Sequence, residues 1–126
     1  KDSLAPDFLF KGALLEYRNL NDFKKAILSF EKLYDNYPDY NKISDCLFWI
    51  AYIYDNDFKE FVKAGEKYNL FLERFPDHEF SNDVDFLVKH LGMSDEEILN
   101  ELLKNNDKTE KKEIPEEQAE DIKKPG

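Results

Sequence analysis

The chain has 126 residues, 41% of them hydrophobic and 15% aromatic, and a formal net charge of −10. That length supports one domain with a real core, and the eleven Phe and seven Tyr, whose rings bury large areas, are where its energy should lie. The charge argues against a nucleic-acid binder, since phosphate neutralisation needs a basic surface and no Lys/Arg stripe occurs here.

Four Gly and five Pro are few and stand where elements end, which favours long helices over a turn-rich sheet protein. A single cysteine, Cys46, excludes an intrachain disulfide and any multi-cysteine metal site, and His78 and His90 make a poor zinc set. No apolar run approaches the roughly 20 residues that span a bilayer, and no basic-then-apolar leader is visible. The chain starts at Lys1 rather than Met, which we read as processing or trimming.

In chain order, the first predicted helix carries Phe10, Ala13, Leu14 and Tyr17 on one face. The second, within NDFKKAILSFEKLYDNYPD (Asn21 to Asp39), places Ala26, Phe30, Leu33, Tyr34 and Tyr37 on one helical face and is stopped by Pro38. The third, Cys46 to Tyr54, is apolar at every position and by itself reads equally as a buried strand. Its register decides for helix, because Leu47, Ile50, Ala51 and Tyr54 match the first helix at an offset of 37. Apolar all round, it should be the most buried element. The fourth helix, in FVKAGEKYNLFLERFPD (Phe61 to Asp77), repeats the second at an offset of 38 and ends at Pro76, and the extra residue is expected in the turn. A further step of 37 reaches Val84, Leu87, Val88 and Leu91 in a fifth helix, expected to be capped by Ser81, to run to about His90 and to end at a left-handed Gly92. Ser94 to Glu97 is a capping box that should start a last helix, roughly Asp95 to Leu103. From Lys104 to Gly126, 13 of 23 residues are charged, and we expect a disordered tail (104–126) after one helical domain (1–103).

This pattern resembles the tetratricopeptide repeat. Phe10, Leu14, Tyr17, Phe23, Ala26, Phe30, Leu33 and Pro38 occupy its places once, and Leu47, Ala51, Tyr54, Phe61, Ala64, Tyr68, Phe71 and Pro76 occupy them again. Departures are Leu14 at the usual small position, a repeat of 37 to 38, and no glycine in the turn between the paired helices. The resemblance implies an all-α fold of helical hairpin repeats: about six helices, two full repeats plus a capping third, forming a right-handed α-solenoid fragment. The run LFWIAYIY and the endings DNYPDY and LERFPDHE look like the subclass found in bacterial outer-membrane assembly lipoproteins and the Tol-Pal-associated periplasmic protein.

Such a scaffold would present its first helices to a protein or peptide partner. By register the concave, partner-binding face would carry Phe8, Lys11, Leu15 and Arg18, then Asp45, Phe48, Tyr52 and Asp55, then Asn82, Asp85 and Lys89. Phe48 and Tyr52 could equally serve packing alone. Leu15 stands where chaperone-tail binders of this family carry an asparagine, and Asp45 and Asp55 add negative charge, so an acidic tail is a poor ligand.

No catalytic residue, metal site or cofactor is expected. Cys46 followed by Leu-Phe-Trp-Ile reads as an inert buried thiol, and the acids at 95–97 complement a helix N-terminus. Asp55 and Asp57 in a turn resemble a calcium loop but lack its central glycine and distal Glu. Gly65 inside a helix is read as permitting close helix approach. The expected function is therefore a non-enzymatic adaptor in the bacterial envelope, periplasmic or held at the outer membrane by an N-terminal lipid. A self-associating structural repeat protein and a cytoplasmic adaptor are the alternatives.

Overall fold

The computed structural model describes residues 4–109, and side chains through Asn105. Six α-helices form: α1 (Leu4–Arg18), α2 (Phe23–Asn36), α3 (Ile43–Tyr52), α4 (Phe61–Arg74), α5 (Ser81–Lys89) and α6 (Asp95–Thr109). A π-helical turn, Ile53–Asp57, continues α3. Among the described residues there is no strand, and no helix is long and apolar enough to cross a membrane. The chain divides into two compact units between Gly92 and Met93, so α6, expected inside a domain ending at residue 103, stands in the second unit.

In the first unit each helix packs on its neighbour in sequence, α1 on α2 through α4 on α5. Two buried clusters result, and α3 serves both. Cys46, Ile50 and Ile53 face a first cluster with Phe10, Ala13, Ala26, Phe30 and Leu33, whereas Leu47 and Ala51 face a second with Ala64, Tyr68, Phe71 and Val84. This explains why the run from Cys46 has no polar stripe: adjacent helical positions are turned by about 100°, so Cys46, Ile50 and Ile53 form one stripe and Leu47 and Ala51 another, and here both stripes face cores. Each fully buried Phe or Leu contributes roughly 1.5–3 kcal/mol, so these clusters hold the unit together.

Matching residues end the paired helices. The Tyr37 amide donates to Leu33 O and the Phe75 amide to Phe71 O, one residue before Pro38 and Pro76. The start of α2 is capped by Asp22, whose side chain accepts from the Lys25 amide at 3.2 Å. The hairpin turns also match. Asp22 N bonds Glu16 O and Glu60 N bonds Tyr54 O, while Asn21 and Lys59 take positive φ, 52° and 56°. The left-handed residue that glycine usually supplies is thus retained in conformation but filled by Asn and Lys.

The extra residue of the second repeat does not lie in the turn, as expected, but in the helix. Core residues of α1 and α3 correspond at 37, whereas the bonds Leu20 N to Leu15 O and Phe58 N to Ile53 O already correspond at 38. The change of register is absorbed by the wider π-helical turn, the form an inserted residue takes inside an α-helix.

Three further expectations are corrected. Ser81 does not cap α5: it is the first helical residue, and its hydroxyl donates instead to Phe75 O at 2.9 Å, securing the turn after α4. Asp55 and Asp57 lie in the π-helical turn and not in an open loop. Helix α6 passes Leu103 and continues to Thr109, because Lys104 to Thr109 contains no glycine or proline and charged residues are no obstacle on a solvated helix. Residues 110–126 of the expected tail lie outside the described residues. Gly92 has the left-handed φ of 77°, and the Ser94 and Glu97 side chains and amides bond reciprocally at 2.8 and 3.1 Å. At Gly65 a Cβ would come 3.2 Å from the Leu91 side chain, so its absence admits that neighbour.

Candidate functional site

The residues expected on the first-helix face fall into three groups. On α1, Lys11, Leu15 and Arg18 line a shallow cavity of about 310 Å³ together with Leu14 and Asn19. The Arg18 guanidinium lies 5.6 Å over the Trp49 ring. Phe8, 79% exposed, does not join them. It borders a separate cavity of about 470 Å³ between α1 and α2, with Leu9, Gly12 and Glu16 on its α1 side. Counting back 37 residues, Gly12 is the counterpart of Trp49, and among the described residues nothing lies within 4 Å of where its Cβ would be. The side of α1 that would meet a preceding repeat is therefore open where α3 carries an indole, and Ser29 hydrogen-bonds Glu16 there at 2.7 Å.

The second group is built on α3 and the π-helical turn that continues it. Asp45, Phe48, Tyr52 and Asp55 recur at helical spacing, and the Phe48 and Tyr52 rings stack at 5.9 Å with an 18° interplanar angle. Phe48 also meets Tyr68 of α4 at 6.3 Å and Phe80, which precedes α5, at 6.0 Å. Its ring therefore has an interhelical packing role, whereas the ring contacts of Tyr52, with Phe48 and Trp49, stay within its own helix. Asp55 Oδ2 accepts the hydroxyl of the fully buried Tyr68 at 3.0 Å. Burial, followed by the charge and hydrogen bond of Asp55, pushes the Tyr68 phenol well above its ordinary range. Among the described residues Asp45 makes no ion pair or side-chain hydrogen bond, and desolvation raises its pKa against the opposing charges of His78 and Lys42.

On α5, Asp85 and Lys89 pair with each other at 2.9 Å, and Asn82 is exposed. What reaches the α3 residues from this end of the unit is the turn before α5: Phe80 touches Phe48, and His78 packs on Phe80 at 4.9 Å. Neither was among the expected site residues, and neither is marked by helical spacing. Trp49 also lies outside the expected set, although it joins Tyr17, Phe30, Tyr52 and Arg18 around one indole. The Tyr17 hydroxyl faces Asp57, and burial first, then that carboxylate, raises its pKa.

Nucleophilic chemistry finds no support at Cys46. The thiol is fully buried, and burial pushes its pKa up to about 12, so almost no thiolate exists near neutrality. His78 Nδ1 accepts the Phe80 amide at 3.0 Å, and the His90 ring stacks on Phe86 at 4.1 Å, both local structural roles. The arrangement offers an aromatic and acidic contact surface, which suits recognition of a protein.

No curated protein and no solved structure matched the chain. A family model described as tetratricopeptide repeat matches residues 7–40 and again 45–78, together more than half of the chain and in the same two hairpins that the structure forms. The chain belongs to the tetratricopeptide repeat family.

Proposed function

We propose that the chain is an adaptor whose α1 and α3 faces take a protein or peptide partner in an assembly of the bacterial cell envelope. The observation that carries the reading is the half-exposed Phe48 and Tyr52 pair, stacked on α3 and flanked in sequence by Asp45 on that helix and Asp55 in the π-helical turn that continues it. Aromatic residues at the centre of a polar surround are the usual energetic centre of protein interfaces. Envelope placement is supported by the resemblance of LFWIAYIY, DNYPDY and LERFPDHE to the subclass named above.

A crosslinking pull-down comparing wild type with Tyr52→Ala and with Phe48→Ala plus Tyr52→Ala tests the face. Tyr52→Ala leaves the interhelical contacts of Phe48 in place, so loss of partners with unchanged circular dichroism supports the reading. Retention of every partner by folded variants removes it. Fractionation of native cells tests location: recovery with the periplasm or outer membrane is expected, and recovery in the cytosol overturns the envelope assignment. An acyl group in the intact mass of the native protein is expected if a lipid tethers it.

Self-association is the second reading, favoured by the open cavity between α1 and α2 with Phe8 exposed beside it. Light scattering coupled to size exclusion decides it, since end-to-end stacking gives a mass that grows with concentration.

A further inference from the structure

We infer that the α3 face is specific for a basic segment, whose lysine or arginine stems lie on Phe48 and Tyr52 while their charges meet Asp45 and Asp55. This rests on the adaptor reading and adds the chemistry of the partner.

Charge is divided sharply along the chain. Residues 1–42 hold seven acidic and seven basic side chains, whereas residues 43–103 hold fourteen acidic and five basic, a net of −9. The α3 stripe therefore stands in the part of the chain that carries the acidity.

The chain's own cations show what its rings accept. Arg18 lies over Trp49, Lys42 over Phe10, Lys63 over Tyr54 and Arg74 over Tyr34, at 5.2 to 5.6 Å. Among the described residues no cation lies over Phe48 or Tyr52, and none is ion-paired to Asp45 or Asp55. Asp45 is half-buried, and its desolvation outweighs the opposing charges of His78 and Lys42, neither of which is ion-paired to it among the described residues. An incoming guanidinium would supply both a ring contact and a countercharge, and a partly desolvated setting strengthens each. An acidic segment would meet like charge along the same stripe.

Trp49 is the only tryptophan, and its ring lies 6.0 to 6.4 Å from Tyr52 and Phe48, so its fluorescence reports on this face. The probes are an acetylated, amidated peptide of alternating arginine and alanine, its citrulline counterpart with nearly the same shape and no charge, and its glutamate counterpart. The arginine peptide alone is expected to shift the emission saturably at physiological salt, where the Debye length is about 8 Å. Asp45→Asn plus Asp55→Asn should weaken it about tenfold, while asparagine can still accept the Tyr68 hydroxyl. Glu66→Gln plus Glu73→Gln on α4, an equal change of net charge elsewhere, should cost less than about twofold. Equal binding of the citrulline peptide, an equal loss in the α4 variant, or no binding of the arginine peptide overturns the inference. If the arginine peptide fails while the Tyr52→Ala variant still loses its protein partners, the adaptor reading stands and the basic partner falls.

Discussion

At matching core positions the first repeat carries Phe30 and the second Tyr68, both fully buried, and the difference of one hydroxyl separates how the two repeats are built. Phe30 needs only surface: it meets Phe10 edge to face at 5.6 Å and lies parallel to Trp49 at 6.0 Å. Tyr68 needs an acceptor as well, and Asp55 supplies it. An inserted residue rotates whatever follows by about 100° around a helix. The π-helical turn after α3 is such an insertion, and it is the element that carries Asp55. The repeats thus share a backbone plan while the second ties its core aromatic ring to a carboxylate, and the same insertion that lengthens the repeat places that carboxylate.

The largest expected effect tests whether the two positions are equivalent as packing. Phe30→Ala and Tyr68→Ala should each cost about 3–5 kcal/mol, the range for deleting a buried ring, measured by urea denaturation. A much smaller loss at Tyr68 would mean that the second cluster collapses around the gap and that the equivalence holds only in register. The next effect isolates the hydroxyl. Asp55→Ala leaves a buried donor unsatisfied and should cost about 1–3 kcal/mol, whereas in a Tyr68→Phe background the same change should cost almost nothing. If the two losses simply add, the bond at 3.0 Å carries no coupling and the π-helical turn needs another explanation.

How much of this was legible in the sequence follows from what each feature depends on. The hairpins were legible because Ala26, Phe30 and Leu33 and their counterparts Ala64, Tyr68 and Phe71 recur at one spacing with a proline behind each. The dual role of α3 could be anticipated in outline, since an all-apolar helix must be covered on most sides. The location of the inserted residue could not be: an offset that changes from 37 to 38 is the same string of letters whether the extra residue widens a helix or lengthens a turn. Ser81 misled for a related reason, because a serine before an apolar run satisfies the cap pattern while the structure uses its hydroxyl on Phe75 O. At the site, Asp45, Phe48, Tyr52 and Asp55 were placed by register, but Phe80 and His78 reach that face through the course of a turn, which periodicity does not describe.

Alkaline titration sharpens the comparison further. The phenol of Tyr68 is held protonated in the folded chain, so its pKa exceeds the value of about 10 expected when unfolded. Stability from this group is complete below that pH and is lost as pH rises above it, because the unfolded state then binds fewer protons. Cys46 behaves alike from about its ordinary thiol value, near 9, up to about 12. Denaturation midpoints should therefore be flat near neutrality and fall through this alkaline window. Tyr68→Phe should make the upper part of the fall shallower, and an unchanged slope would show that Tyr68 ionises as readily folded as unfolded.

The smallest effect concerns the turns that the two repeats share. Asn21 and Lys59 hold φ of 52° and 56°, a conformation in which a Cβ crowds the following carbonyl at a cost of roughly 1–2 kcal/mol for most residues. Asparagine escapes much of this through local hydrogen bonding, and lysine does not. Glycine removes the crowding but adds freedom to the unfolded chain, which takes back part of the gain. Lys59→Gly should therefore raise stability by about 0.5–1 kcal/mol, and Asn21→Gly should change it by less than about 0.3 kcal/mol. Equal gains at both positions would show that Asn21 is as strained as Lys59. A loss at Lys59 would show that its side chain makes a contribution larger than the backbone relief, and the missing turn glycine would then be a selected feature of the second repeat.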